Sequence, residues 1–201
     1  MREVLVIKTG VANIASVSAA FARQDASVRL SDDPDEVRHA ARVVLPGVGA
    51  FGPAMAQLNE LGLAEALRER AQADLPLLGI CLGLQLLCQS SEESPDVIGL
   101  SVFNERVTRF NDPRLRTPHF GWNAVTPTAG AQLLSSGWAY YANSYKLDRL
   151  PEGAEGAMTT HGDPFVAVIE RGALLACQCH PELSGAWGAN LLRAWLEMTC
   201  L

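Results

Sequence analysis

The chain has 201 residues, is 48% hydrophobic and 19% charged, and carries a net charge of −6, which suits one globular domain with a sizeable core and argues against a nucleic-acid-binding surface. Neither a signal peptide nor a membrane span is expected from its hydropathy. Five cysteines form an odd set without framework spacing, which fits a reducing cytoplasm better than a disulfide scaffold.

Val4 to Ile7 is β-branched and apolar and predicts a buried first strand, ended by Gly10. Asn13 is placed to cap a helix whose apolar face is Ile14, Val17, Ala20 and Phe21. Val28 to Leu30 predicts a second strand, and Asp33-Pro34 starts a short polar helix reaching His39. A third strand, Arg42 to Leu45, runs into Pro46-Gly47-Val48-Gly49-Ala50-Phe51-Gly52. Such a glycine-rich exit leaves backbone amides open and suits an anion or oxyanion loop, although an ordinary tight turn reads the same way. It matches neither the Gly-x-Gly-x-x-Gly nor the Gly-Lys-Ser/Thr pattern. Residues 54–73 are helix-rich with a break near Gly62.

Leu77 to Ile80 predicts a central strand, and Leu84, Leu87 and Cys88 then recur at helical spacing. Between them lies Gly79-Ile80-Cys81-Leu82-Gly83, a Gly-x-nucleophile-x-Gly elbow with cysteine in the place of serine. Side chains two positions either side of the nucleophile would collide with the crossing strand and helix, hence the glycines. At a helix N-terminus the partial positive charge favours thiolate, and the Leu82 N–H is free for an oxyanion. A buried structural cysteine between packing glycines is the competing reading of Cys81 alone.

Alternating strands and helices to this point predict a mostly parallel sheet with ligands at its C-terminal edge. Residues 91–96 read as a surface loop, 102–110 as a strand, 117–123 as an aromatic segment without clear period, and 138–147 as a strand. Gly156 to Thr160 is a shorter strand, 165–179 a hairpin turning at Arg171-Gly172, and 187–198 a final amphipathic helix.

Cys177-Gln178-Cys179-His180-Pro181-Glu182 is the second chemical motif. In an extended segment His180 and Glu182 point the same way, so the carboxylate can orient the imidazole. With Cys81 they make a nucleophile, a general base and an orienting acid. Taken alone, His180 and Glu182 read equally well as a structural histidine beside a surface glutamate. A zinc site at Cys177, Cys179 and His180 lacks a second ligand pair. Cys88 and Cys200 read as packing thiols, His39 and His161 as solvated, and His119 as structural or lining an interface.

Gly79-Ile-Cys81-Leu-Gly83-Leu-Gln85 with His180-Pro-Glu182 resembles the class I (triad) glutamine amidotransferases. Within that class, Leu45-Pro-Gly-Val-Gly-Ala-Phe51, Pro118-His-Phe-Gly-Trp-Asn123 and Gly10-x-x-Asn13 look like the glutaminase subunit of imidazole glycerol phosphate synthase, over nearly the whole chain. The resemblance implies one amidotransferase domain over residues 1–201, of α/β flavodoxin-like fold. The expected sheet is mostly parallel and flanked by helices, with an antiparallel-strand-rich C-terminal half. It implies hydrolysis of L-glutamine through a cysteine thioester, without a cofactor or metal. Ammonia would be delivered to a partner (β/α)8 cyclase that makes imidazole glycerol phosphate and an aminoimidazole carboxamide ribonucleotide in histidine biosynthesis.

By position, the resemblance makes Cys81 the nucleophile, His180 the base and then acid, and Glu182 its orienting group. Val48, Gly49 and Leu82 would form the oxyanion hole. Gly49, Gly83, Gln85, Ser144 and Tyr145 would bind glutamine. Asn13, Pro118, His119, Phe120 and Trp122 would face the partner. Two departures stand out: Lys8-Thr9 replaces the family's usual Asp-Tyr, and Asn143 its usual histidine. The amidotransferase subunit of another synthase, a stand-alone cysteine hydrolase on the same architecture and a non-catalytic docking module are the competing readings; the Pro-Gly-Val-Gly loop speaks against the first, that loop and Gln85 against the second, and the intact triad against the third.

Overall fold

The computed structural model describes residues 2–8 and 13–198. The strand stop at Gly10, Thr9 and the packing thiol Cys200 lie outside them.

The first half alternates as its sequence dictates. β1 (Arg2–Ile7), α1 (Ile14–Ala22), β2 (Ala26–Ser31), α2 (Pro34–His39), β3 (Val43–Gly47), α3 (Phe51–Glu60), α4 (Leu63–Gln72) and β4 (Leu77–Cys81) follow in order. Both expected caps form: Asn13 Oδ1 accepts from Ser16 N at 3.2 Å, and Asp33 Oδ1 accepts from Asp35 N at 2.8 Å. β1, β3 and β4 are apolar runs because both of their faces are covered. Leu5, Ile7, Leu45 and Leu77 pack with Phe51, Met55 and Leu67 of α3 and α4. Their neighbours Val4, Val6, Val44 and Leu78 pack on the other face with Val17 and Phe21 of α1. One buried cation ties this side together: Arg70 donates to the carbonyls of Val37, Arg38, Ala41 and Pro76. Burial pushes its pKa down to about 10.

After β4 come α5 (Leu82–Leu86), β5 (Cys88–Ser91), β6 (Phe103–Arg109), β7 (His119–Pro127), β8 (Gly137–Asn143) and β9 (Tyr145–Lys146). β10 (Glu155–His161), β11 (Asp163–Arg171), β12 (Leu174–Cys177), a 3₁₀ turn over Pro181–Leu183 and α6 (Gly185–Met198) complete the described chain. The main sheet has nine strands in the order β2-β1-β3-β4-β12-β11-β10-β7-β8. Its first five strands are mutually parallel, and among its last five each strand is antiparallel to its neighbours, β12 belonging to both sets. A small sheet β5-β6-β9 lies apart. This is a flavodoxin-like α/β fold with an antiparallel extension.

Three expectations change. The helical spacing of Leu84, Leu87 and Cys88 suggests one continuous helix, but α5 ends at Leu86 and Cys88 starts β5, paired in parallel with Phe103. The aromatic segment is β7, whose outward positions are Phe120, Trp122, Ala124 and Thr126. Its alternation is hidden because the aromatics face out. The strand over 138–147 breaks at Ser144, where Ser144 O accepts from Phe110 N at 3.1 Å.

Candidate active site

β3, β4 and β12 are adjacent, parallel and in register, with Gly47 opposite Cys81 and Cys177 opposite Ile80. Their C-terminal ends therefore deliver three chain segments to one edge: Val48-Gly49, Cys81-Leu82 and Gln178 to His180. This is where ligands bind in open α/β sheets.

Cys81 sits between β4 and α5 with φ 54° and ψ −108°. A non-glycine residue rarely adopts this backbone, and such strain concentrates at functional positions. The elbow also holds because α5 crosses β3 closely: a Cβ on Gly83 would lie 2.0 Å from the Leu45 carbonyl oxygen. Gly49 has φ 110° and open space around its Cα.

His180 Nδ1 lies 2.8 Å from Glu182 Oε1, and both side chains are buried. The extended geometry expected for this pair is not how they meet. His180 is the residue before the 3₁₀ turn, with φ −100° and ψ 91°, and the turn itself swings Glu182 back under the ring. Ser184 fixes the turn, its hydroxyl donating to His180 O at 2.7 Å and accepting from Tyr140 N at 2.9 Å. Burial pushes the imidazole pKa down, but hydrogen bonding and negative charge at Cys81 and Glu182 outweigh it and hold it at about 11. Burial pushes the Cys88 and Cys179 thiols up instead, which keeps them protonated.

A cavity of about 310 Å³ opens over Cys81. Val48, Gly49, Leu82, Gln85, Pro118, Phe120, Ser144, Tyr145 and His180 line it with Cys81, as do Glu93 and Asn143. Its volume falls in the range of small-molecule sites. Gly83 is not on its wall; it packs beneath, against Leu45. Glu182 lies behind His180, and Asn13, at the start of α1, does not reach the cavity. His119 departs from the expected partner-facing placement. It is 5% exposed, turned inward and stacked on His161 at 4.0 Å, so His161 is not simply solvated either. Phe120 and Trp122, the alternate residues of the same strand, are 59% and 49% exposed.

Several contributors escape the sequence. Glu93, in the stretch expected to be a surface loop, accepts from Phe51 N at 2.7 Å through Oε2, and Ser94 Oγ accepts from Gly52 N at 3.1 Å. Together they tether the far end of the glycine-rich loop. Gln178 is fully buried between Cys81 and Gln85. Asn143 donates to Tyr145 O at 2.9 Å. A cysteine at a strained elbow, a carboxylate-bound imidazole and open amides around one cavity are the kinds of parts acyl transfer uses.

Residues 6–197 match the glutamine amidotransferase class-I family. The chain is 39% identical to the imidazole glycerol phosphate synthase subunit HisH of Symbiobacterium thermophilum, covering all of this chain and 96% of that protein. It is 40% identical to the protein of the same name from Escherichia coli K12, over 97% of this chain and 99% of that one. Among solved structures, a glutamine amidotransferase superposes with a TM-score of 0.79 at 21% identity, covering 98% of this chain and 99% of that one. A second glutamine amidotransferase, from Thermotoga maritima, gives 0.64 at 20% identity, covering 98% and 81%. Their low identity speaks to fold alone. By sequence, the chain belongs to the class-I glutamine amidotransferases and, within them, to the family of imidazole glycerol phosphate synthase subunit HisH.

Proposed function

We propose that Cys81, His180 and Glu182 carry out the glutaminase reaction of this protein. The observation that carries the reading is the 2.8 Å Glu182–His180 contact beside a cysteine at a strained elbow, on the wall of one cavity. His180 takes the Cys81 thiol proton, and the thiolate Sγ attacks the side-chain amide carbon of L-glutamine. The tetrahedral oxyanion forms toward the amides of Gly49 and Leu82, near Val48. His180, oriented through Nδ1 by Glu182, gives a proton to the departing nitrogen, and ammonia leaves a γ-glutamyl thioester. His180 then takes a proton from water, whose oxygen attacks the thioester; glutamate leaves and the thiol is restored. Gln85, Ser144 and Tyr145 bind glutamine from the cavity wall. Gly83 contributes through the close crossing that shapes the elbow.

The ammonia passes to a (β/α)8 cyclase that makes imidazole glycerol phosphate and the aminoimidazole carboxamide ribonucleotide of histidine biosynthesis. That partner would sit on the outward face of β7, where Phe120 and Trp122 are exposed and where Pro118 and Phe120 continue into the cavity wall. Asn13 would meet it from the start of α1. A cytoplasmic location accompanies this reading, and the free thiols Cys81, Cys88, Cys177 and Cys179 suit a reducing compartment.

The test is glutamate release by the purified chain, alone and with the cyclase partner and its nucleotide ligand. Release that rises strongly in the complex and vanishes in Cys81→Ala supports the reading. Vigorous release without the partner would move the chain to a stand-alone hydrolase, and none in either state would overturn the glutaminase.

A further inference from the structure

Gln178 has a defined place in a chain of side-chain amides. Its Oε1 accepts from Gln85 Nε2 at 3.0 Å, and its Nε2 lies 3.7 Å from Cys81 Sγ, a distance suited to the larger sulfur atom. Gln85 Nε2 also donates to Tyr145 O at 3.2 Å, and Asn143 Nδ2 donates to the same carbonyl. The orientation of each amide follows from that root. A backbone carbonyl only accepts, so Gln85 must turn its NH2 toward Tyr145. Both Gln85 N–H groups are then used, one on Tyr145 and one on Gln178. Gln178 must therefore present its oxygen to Gln85 and its NH2 to the sulfur. Reversing it would set two donors against each other at Gln85 and two acceptors against each other whenever the sulfur is ionised. The side chain is fully buried, so no solvent competes for these bonds.

We infer that Gln178 is a positioning residue for the nucleophile: it donates an N–H to Cys81 Sγ, favouring the thiolate, with its direction set by the Tyr145–Gln85 amide chain. This rests on Cys81 being the nucleophile and deepens that reading. A hydrogen bond to the charged form favours that form. The same chain links the sulfur to Gln85 and Tyr145 on the cavity wall, so the side chains beside the substrate and the nucleophile share one hydrogen-bonded frame. The ionisable groups around the sulfur are His180 with Glu182 behind it, Glu93 on the cavity wall, and the thiols Cys177 and Cys179 in the same apolar cluster. None of these groups is itself substituted in the Gln178 variants.

The test is the pH dependence of Cys81 alkylation by iodoacetamide in the full chain, read on the Cys81 peptide by mass spectrometry. Gln178→Met keeps the side-chain length and removes the donor; Gln178→Leu repeats the test with a different shape. Cooperative thermal unfolding certifies each as folded. The pH of half-maximal alkylation rises by about one unit in either folded variant. An unmoved midpoint in a folded variant overturns the inference even if the alkylation rate falls, because lost packing alone does not shift it. Loss of selective Cys81 alkylation in the unaltered chain would overturn the nucleophile reading itself, a separate result.

Discussion

The Cα of Gly83 and the carbonyl oxygen of Leu45 are so close that any Cβ at position 83 would sit 2.0 Å from that oxygen. The obstruction is backbone on a buried central strand, so no side chain can swing away to relieve it. Gly79 is tight in a milder way, its nearest would-be contact being Leu87 Cδ1 at 3.0 Å. Gly83→Ala therefore destabilises the chain by about 3 kcal/mol or more, and Gly79→Ala by less. Urea unfolding of the two variants checks the order.

The backbone of Cys81 stores strain independently of its thiol, with φ at 54°. Removing the thiol as alanine leaves the strain in place; removing it as glycine relieves it. Cys81→Gly is then more stable than Cys81→Ala by about 1 kcal/mol, although glycine is normally the less stabilising residue. Paired thermal melts decide this, and an alanine variant more stable than the glycine one would show that the elbow is relaxed.

Against the desolvation that lowers it, Cys81 and then Glu182 hold His180 charged. The folded-state pKa of about 11 lies above the ordinary 6.5, so this residue's contribution to stability is fully present below pH 6.5 and is lost as pH rises through about 11. Glu182→Gln keeps an acceptor beside Nδ1 but removes the charge. It flattens that alkaline decline relative to the unaltered chain, and partner-stimulated turnover falls by roughly 10²-fold or more. Unfolding free energies at pH 7 and pH 10, with turnover of the complex, test both statements.

His119 behaves oppositely. Burial and then the charge of His161 lower its pKa to about 4. A depressed histidine favours the fold while neutral, so its contribution is present above pH 6.5 and is lost as pH falls from 6.5 to about 4, by on the order of 3 kcal/mol. His119→Phe keeps an aromatic ring against His161, Tyr141 and Phe110 and removes this acid sensitivity. Between pH 7 and pH 4 the melting temperature of the unaltered chain falls further than that of the variant if His119 is the cause.

Much of the site is readable in the sequence where one local rule governs it. The two glycines flanking Ile80-Cys81-Leu82 answer a steric demand within five residues, and Pro181 shapes the turn joining His180 to Glu182. Glu93, Gln178 and Ser184 are different. Each supplies one or two polar atoms to a junction between segments distant in the chain, so no period or spacing marks them. β7 is obscured for another reason: Phe120 and Trp122 sit on its exposed face, reversing the usual apolar-inside pattern. The early end of α5 is set by the pairing of Cys88 with Phe103, to which the helical spacing of the leucines is blind.

The alignment of β3, β4 and β12 has a consequence for how this chain can change length. The site is assembled across a ladder with Gly47 beside Cys81 and Cys177 beside Ile80. One residue gained or lost within any of these strands moves its end by about 3.3 Å and turns the following side chain to the opposite face. The edge that carries Cys81 is thus closed to insertions and deletions in those three strands. The opposite edge, where Leu174 pairs with Leu77 just past the Arg171-Gly172 turn, lies away from the cavity. An insertion in that turn leaves the spacing of the three strand ends at the Cys81 edge unchanged.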